Sequence, residues 1–378
     1  MQQFEDIRPF KDEEYKEVVQ QLFEIDSLRD AVGNYLPELT MEDIKGLLLS
    51  FTGIQDFQSK MVCRVIQSSI DSSMDGFTHD GVLQLDKNTT YTFITNHRDI
   101  VMDSALLNFC LNDERYDTCE IAIGSNLLAE PWIEKLVKLN KSFIVKRNLP
   151  IQEMLEASKE LSAYINYTLK EKKQSVWIAQ REGRAKDGFD KTNPGVLKMF
   201  GLAAEGDLLD HIISLNIAPV SLSYEYDPCD EMKIPELLSK AEGKDYVKAK
   251  GEDERSMRLG IMGQKGRVHF QFGKTINEEI EQFRDIKNKN QLLKNIAEVI
   301  DQRIYKNYHL WNSNYVAYDL LHSSNKYVNQ YSDNGKEKFL VYMNKKLERF
   351  AGNEQAKQLF LQMYANPVLN AEKVELVK

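Results

Sequence analysis

The chain has few cysteines and no pattern among them. Cys63, Cys110, Cys119 and Cys229 stand apart, without the close pairs of a zinc site or the spacing of a disulfide framework. They are expected as reduced core residues of a cytoplasmic protein. A surplus of positive charge is also missing: 49 Lys and Arg face 58 Asp and Glu, for a net charge of -9. That balance excludes general affinity for nucleic acid and confines anion binding to a local patch. No stretch approaches the ~18 uninterrupted apolar residues that span a bilayer. The opening "MQQFEDIRPFKDEEYKEVV" lacks the basic-then-apolar order of a signal peptide. Membrane contact is therefore expected to be peripheral. Internal repeats and low-complexity tracts are absent.

What is present is a change of hydrophobic period along 378 residues, enough chain for a large core and more than one subdomain. Tyr15, Val18, Val19, Leu22 and Phe23 recur at helix spacing, as do Met41, Ile44, Leu47, Leu48 and Phe51. Thr40 with Asp43 predicts a capping box on the second helix. A third amphipathic segment, 57–70, precedes "SSMDGFTHDG", whose turn residues suggest a boundary near residue 80. Beyond it, "YTFIT", "CEIAI", "SFIVK", "SVWIAQ", "IAPVSLSYEY" and "RVHFQF" read as strands, with helical stretches between the earlier ones. The charged run "KAEGKDYVKAKGEDERS" reads as a solvated excursion, and from about 276 the pattern is helical. The expectation is an α/β protein with a central mixed sheet flanked by helices. An N-terminal helical domain (1–80) precedes the α/β domain (81–275), and a helical region (276–378) follows it.

Four blocks beside β-like runs carry the chemistry. In "NHRDIVMD", residues 96–103, an arginine and two carboxylates crowd His97 at the end of a strand. This is a site, or a surface turn whose Asp99 caps the next helix; the segment alone allows both. As a site it is the His-Asp half of a hydrolase triad without the serine. The nucleophile is then the substrate's own hydroxyl, and the natural electrophile is an acyl thioester. "KSFIVKRN", 141–148, ends in Lys146 and Arg147. "WIAQREGRAKDG", 177–188, supplies Glu182, Gly183, Arg184, Lys186 and Gly188. Cations beside glycine amides suit a phosphate-bearing acceptor, although Lys186 alone reads as a solvated charge. The fourth block is "IAPVSLSYEY". The other histidines read as structural, and the late aromatics Tyr305, Tyr308, Trp311, Tyr315 and Tyr318 read as core before lipid-facing rim.

In this order the blocks resemble the glycerolipid acyltransferase family, which includes glycerol-3-phosphate and lysophosphatidate acyltransferases. The resemblance covers about residues 85–275. It implies His97 as general base and Asp103 as its support. Arg98, Lys146, Arg147, Glu182, Gly183 and Arg184 are then the substrate-binding set. Two departures stand out. Five residues, not the family's four, separate His97 from Asp103, and Asp99 competes as the partner. The third block reads "QREGRAKDG", where matching E-G selects Glu182 and Gly183, but counting back from the final glycine selects Arg184 and shifts the glutamate.

The resemblance implies acyl transfer from acyl carrier protein or coenzyme A to a hydroxyl of glycerol 3-phosphate or a lysophospholipid. It implies no metal and no bound cofactor. The expected location is the cytoplasm, peripherally at the inner face of the membrane. The rival readings are a thioester hydrolase, an N-acyltransferase of aminolipid synthesis, and a non-catalytic lipid-binding protein.

Overall fold

A computed structural model of the chain describes residues 4–26, 28, 40–128 and 130–375. The remaining positions of the expected terminal regions lie outside the described residues, as does position 129. The strands are β1 (Gly76–Asp80), β2 (Thr92–Thr95), β3 (Glu120–Gly124), β4 (Ser142–Val145), β5 (Val176–Ala179), β6 (Ile217–Tyr224) and β7 (Arg267–Phe272). They form one mixed sheet in the order β1-β7-β6-β2-β5-β3-β4. β2 to β6 run parallel, and the β6–β7 pair is antiparallel. β2 lies between β5 and β6 and is buried along its whole length, as a central parallel strand must be.

Helices of seven residues or more among the described residues begin with α1 (Tyr15–Leu22), α2 (Met41–Leu49), α3 (Cys63–Ser73), α4 (Met102–Asp113) and α5 (Pro131–Leu139). They continue as α6 (Ile151–Lys170), α7 (Pro194–Phe200), α8 (Leu208–Ser214), α9 (Asp230–Ala241) and α10 (Glu252–Met262). The last four are α11 (Lys289–Lys306), α12 (Asn312–Leu321), α13 (Asp333–Lys346) and α14 (Glu354–Glu375).

The expected central mixed sheet flanked by helices is present, and all six strand-like runs are strands. One further strand lies where a turn was expected. "GFTHD" forms β1, which pairs in parallel with β7 at the sheet edge. Its glycine and aspartate are poor strand formers and the turn-rich residues before it run into it, so composition points to a turn. Packing decides otherwise, because Phe77 sets its ring 5.9 Å from Phe109 and 5.7 Å from Phe270. The predicted capping box exists: Thr40 Oγ1 accepts from the Asp43 amide, and Asp43 accepts from the Thr40 amide.

Two cores cover the two faces. One gathers Ile94, Val176 and Ile217 of the sheet with Leu161 and Ile165 of α6, Leu197 of α7, and Ile296, Ile300 and Ile304 of α11. The other gathers Phe93, Trp177, Leu222 and Phe270 with Ile66 of α3 and Leu106 and Leu107 of α4. The N-terminal helices share a third core with Leu139 of α5, and the C-terminal helices share a fourth with Ile234 and Leu237 of α9. The outer edge of β4 is covered where the Ile144 amide donates to the Ile7 carbonyl, which blunts an open strand edge.

Because α11 belongs to the core of the sheet, Ile296→Ala removes a fully buried side chain from that core. It should lower unfolding free energy by about 2 to 5 kcal/mol. Urea titration followed by far-UV circular dichroism checks this.

Candidate active site

The C-terminal ends of parallel strands β2 to β6 share one edge of the sheet, where open α/β proteins place their sites. His97 lies two residues past β2, and α4 starts at Met102, so the intervening turn folds back on itself. His97 Nδ1 lies 2.8 Å from Asp103 Oδ2. The same oxygen accepts from the amides of Arg98 (2.6 Å) and Asp99 (3.0 Å), while Oδ1 accepts from the Tyr224 hydroxyl at 2.9 Å. Asp103 is 0% exposed and sits in the first turn of α4, where helix amides favour a carboxylate. The imidazole is 13% exposed and meets the Trp177 ring edge-on at 5.8 Å. One histidine nitrogen is thus anchored on a buried carboxylate.

Asp99 has a different task. Its Oδ1 accepts from the amides of Val101 (2.9 Å) and Met102 (2.8 Å), so it closes the turn and starts α4. The capping expected of Asp99 is present, although the turn is buried and not at the surface. Burial, and next the charge of Asp103, push the Asp99 carboxyl above the usual range, against the pull of Arg184 and the two amides. Gly260 of α10 permits this packing, because a β-carbon there would come within 2.0 Å of Asp99 Oδ2.

The predicted substrate-binding residues divide into separate groups. Arg98 forms a bidentate pair with Asp190 at 2.8 and 2.5 Å, and Asp190 also accepts from the Tyr308 hydroxyl at 2.5 Å. Its guanidinium is thereby built into the interior. Burial opposes its charge, but Asp190 and further acids hold it above the ordinary arginine value. Lys146 pairs with Glu160 at 3.0 Å and lies 3.6 Å from Asp6. Arg147 pairs with Glu182 at 2.9 Å, which joins the second and third blocks at a half-exposed rim. Gly183 beside them has φ +68 with open space around it, a conformation that suits glycine.

Arg184 turns the other way, is 8% exposed, and donates to Ser256 Oγ at 3.2 Å, while its Nη1 has no partner among the described residues. Lys186, expected as a solvated charge, is instead mostly buried against Glu236 at 2.9 Å; burial, then Arg184, lowers its pKa. The fold brings Glu236 to it on α9, which sequence spacing does not show.

Residues 77–223 match the family model described as Acyltransferase. The matched segment runs from β1 into β6 and includes His97, Asp103, Arg147 and Arg184. That segment is similar to an acyltransferase domain. Among solved structures the chain is similar to the 1-acyl-sn-glycerophosphate (LPA) acyltransferase PlsC from Thermotoga maritima, at 12% identity and a TM-score of 0.37. That alignment covers 76% of this chain and 95% of that chain. No curated protein matches the sequence.

Sequence reasoning missed several residues that shape this site. Tyr224 ends β6 with its hydroxyl on Asp103, and Asp190 holds Arg98. The charged run read as an excursion ends in α10, whose Ser256 and Gly260 meet Arg184 and Asp99. Two small residues four apart mark a close-packed helix face, and that signal was available in "SMRLG". Lys265 is fully buried, donating to Ser73 Oγ at 2.7 Å and to the carbonyls of Ile261 and Gly263. Burial pushes its pKa down to about 8. Two of the late aromatics are interior anchors: Tyr305 donates to the Asp190 carbonyl, and Trp311 Nε1 donates to the Ser223 carbonyl at 3.2 Å.

Arg98→Met breaks one side of a buried ion pair and should cost about 3 to 5 kcal/mol of stability. Chemical denaturation measures that loss. A variant as stable as the parent, with only acceptor KM raised, would return Arg98 to the substrate.

Proposed function

We propose that the domain transfers a fatty acyl group from an acyl carrier protein or coenzyme A thioester to a hydroxyl of glycerol 3-phosphate or a lysophospholipid. The observation that carries the reading is the His97–Asp103 contact, with Nδ1 on a buried carboxylate. Nε2 takes the acceptor's hydroxyl proton as its oxygen attacks the thioester carbonyl. Asp103 stabilises the imidazolium that results. The tetrahedral intermediate then collapses, the carbon–sulfur bond breaks, and the imidazolium returns the proton to the departing thiolate. Atoms and charge balance without a metal or a bound cofactor, and none is proposed.

Arg147 is proposed as the rim cation for the acceptor phosphate, exchanging Glu182 for the ligand, with amide access at Gly183. Arg184 is proposed as its buried counterpart, supported by the unpartnered Nη1. Lys146 adds positive potential nearby. Among the described residues no helix is long and apolar enough to cross a membrane. The proposed association is peripheral, at the inner face of the cytoplasmic membrane.

An acyl-transfer assay with labelled thioester and a panel of acceptors tests the reading. Acylated glycerol phosphate or lysophospholipid is the expected product. Free fatty acid alone would indicate a hydrolase, and acylation of amines alone an aminolipid enzyme.

His97→Ala should stay folded and lose roughly 100- to 10,000-fold in transfer. Asp103→Asn should be severely impaired, and Asp99→Asn less so in turnover. Arg147→Ala should raise acceptor KM about ten- to a hundredfold, the effect of losing a charge-assisted hydrogen bond. Donor KM should hardly change. Initial rates with each substrate varied in turn distinguish these outcomes, and equal losses for donor and acceptor would defeat the phosphate assignment.

A further inference from the structure

The two oxygens of Asp103 are held by different parts of the fold. Oδ2 takes His97 and two amides of its own turn, all within six residues along the chain. Oδ1 takes the hydroxyl of Tyr224, 121 residues away on β6 and just past the segment that matches the acyltransferase model. Tyr224 is firmly placed. Its backbone is in antiparallel register with Val268, and its buried ring meets Phe270 at 6.5 Å. Burial, then the charges of Asp103 and Asp99, push its hydroxyl well above the ordinary tyrosine range, so it stays protonated and donates.

We infer that Tyr224 is a positioning residue for acyl transfer, fixing through Asp103 the orientation and hydrogen-bonding strength of the His97 base. The inference rests on the proposed role of His97. A carboxylate turns easily about its terminal torsion, whose wells are broad and twofold. With Oδ1 tied to β6 it cannot exchange its oxygens, and Oδ2 stays on Nδ1. The hydroxyl also takes part of the carboxylate's negative charge, which sets how strongly Asp103 holds the imidazole. Without it, Oδ1 would be a buried acceptor lacking this partner, which a carboxylate avoids by shifting. Tyr224 touches no reacting atom in this arrangement.

The test uses Tyr224→Phe, which keeps the ring and removes the hydroxyl, beside Phe270→Leu, which loosens the same packing and leaves the hydroxyl. The full-length protein is labelled with nitrogen-15 histidine, and the Nδ1–H proton of His97 is located as the signal missing from His97→Gln. In Tyr224→Phe this proton should change frequency or broaden through solvent exchange, while in Phe270→Leu it stays in place. A 3-fluorotyrosine at 224, a stronger donor, should also move the signal and keeps the phenol should the phenylalanine variant fail to fold.

In turnover, Tyr224→Phe should lower kcat roughly tenfold, in keeping with the loss of a hydrogen bond to a charged group. Its acceptor and donor KM should stay near the parent values. An unchanged His97 proton in both the phenylalanine and fluorotyrosine proteins overturns the inference, as does an equal change in Phe270→Leu. The proton is read without substrate, so this result is separate from the fate of the proposed function. That reading fails instead if His97→Gln retains activity.

Discussion

A carboxylate with no exposed surface is a demanding object, and Asp103 is the one around which this edge of the protein is arranged. Burying an ionised carboxyl is costly unless hydrogen bonds replace the lost water. Here the replacements come from three places: the His97 ring, the amides of Arg98 and Asp99, and the Tyr224 hydroxyl. They tie together the end of β2, the start of α4 and the end of β6. A shift in any of these elements therefore reaches the imidazole, which is only as well placed as the three elements are well packed. Phe93 and Leu222 in the core of that face, with Leu106 of α4, are structural residues that act at one remove on the site.

A second set of buried charges lies around the first. Arg98 is clamped by Asp190, which Tyr308 of the loop after α11 also reaches, so the C-terminal region reaches the turn that holds His97. The charge of Arg184 acts on Asp99 and that of Asp99 on Lys265, with α10 packed against Asp99 and Arg184. Such buried ionic groups add little net stability over apolar replacements, but removing one member leaves another unpaired. Their effect is to make the site intolerant of piecemeal change. Arg147 and Glu182, on the exposed side, form a weaker pair screened by solvent.

The sequence made the sheet legible because β2 to β6 are apolar runs whose period differs from that of the flanking helices. It hid β1, where only Phe77 carries the packing signal and an edge strand needs partners on one side only. The pair His97 and Asp103 was legible from the residue types and their place between a strand and a helix. The cations were legible as residues but not as directions. Arg147 and Arg184 belong to blocks of similar appearance, yet one reaches the rim and the other Ser256. Tyr224 and Asp190 were illegible because their partners lie 121 and 92 residues away, and no local period encodes a hydrogen bond across strands.

The extra residue between His97 and Asp103 shows how local chemistry absorbs a change in spacing. A longer turn risks carrying the aspartate past the histidine. Here Asp99 prevents that by accepting the amides two and three residues ahead of it, a contact that tightens the turn and delivers Met102 as the first helical residue. Asp103 then falls in the first turn of α4, where its carboxylate meets the amides of Arg98 and Asp99. Of the two acids, Asp103 is the one in contact with His97. Asp99 commits Oδ1 to the amides ahead of it, while Asp103, from the first turn of α4, reaches back to the imidazole.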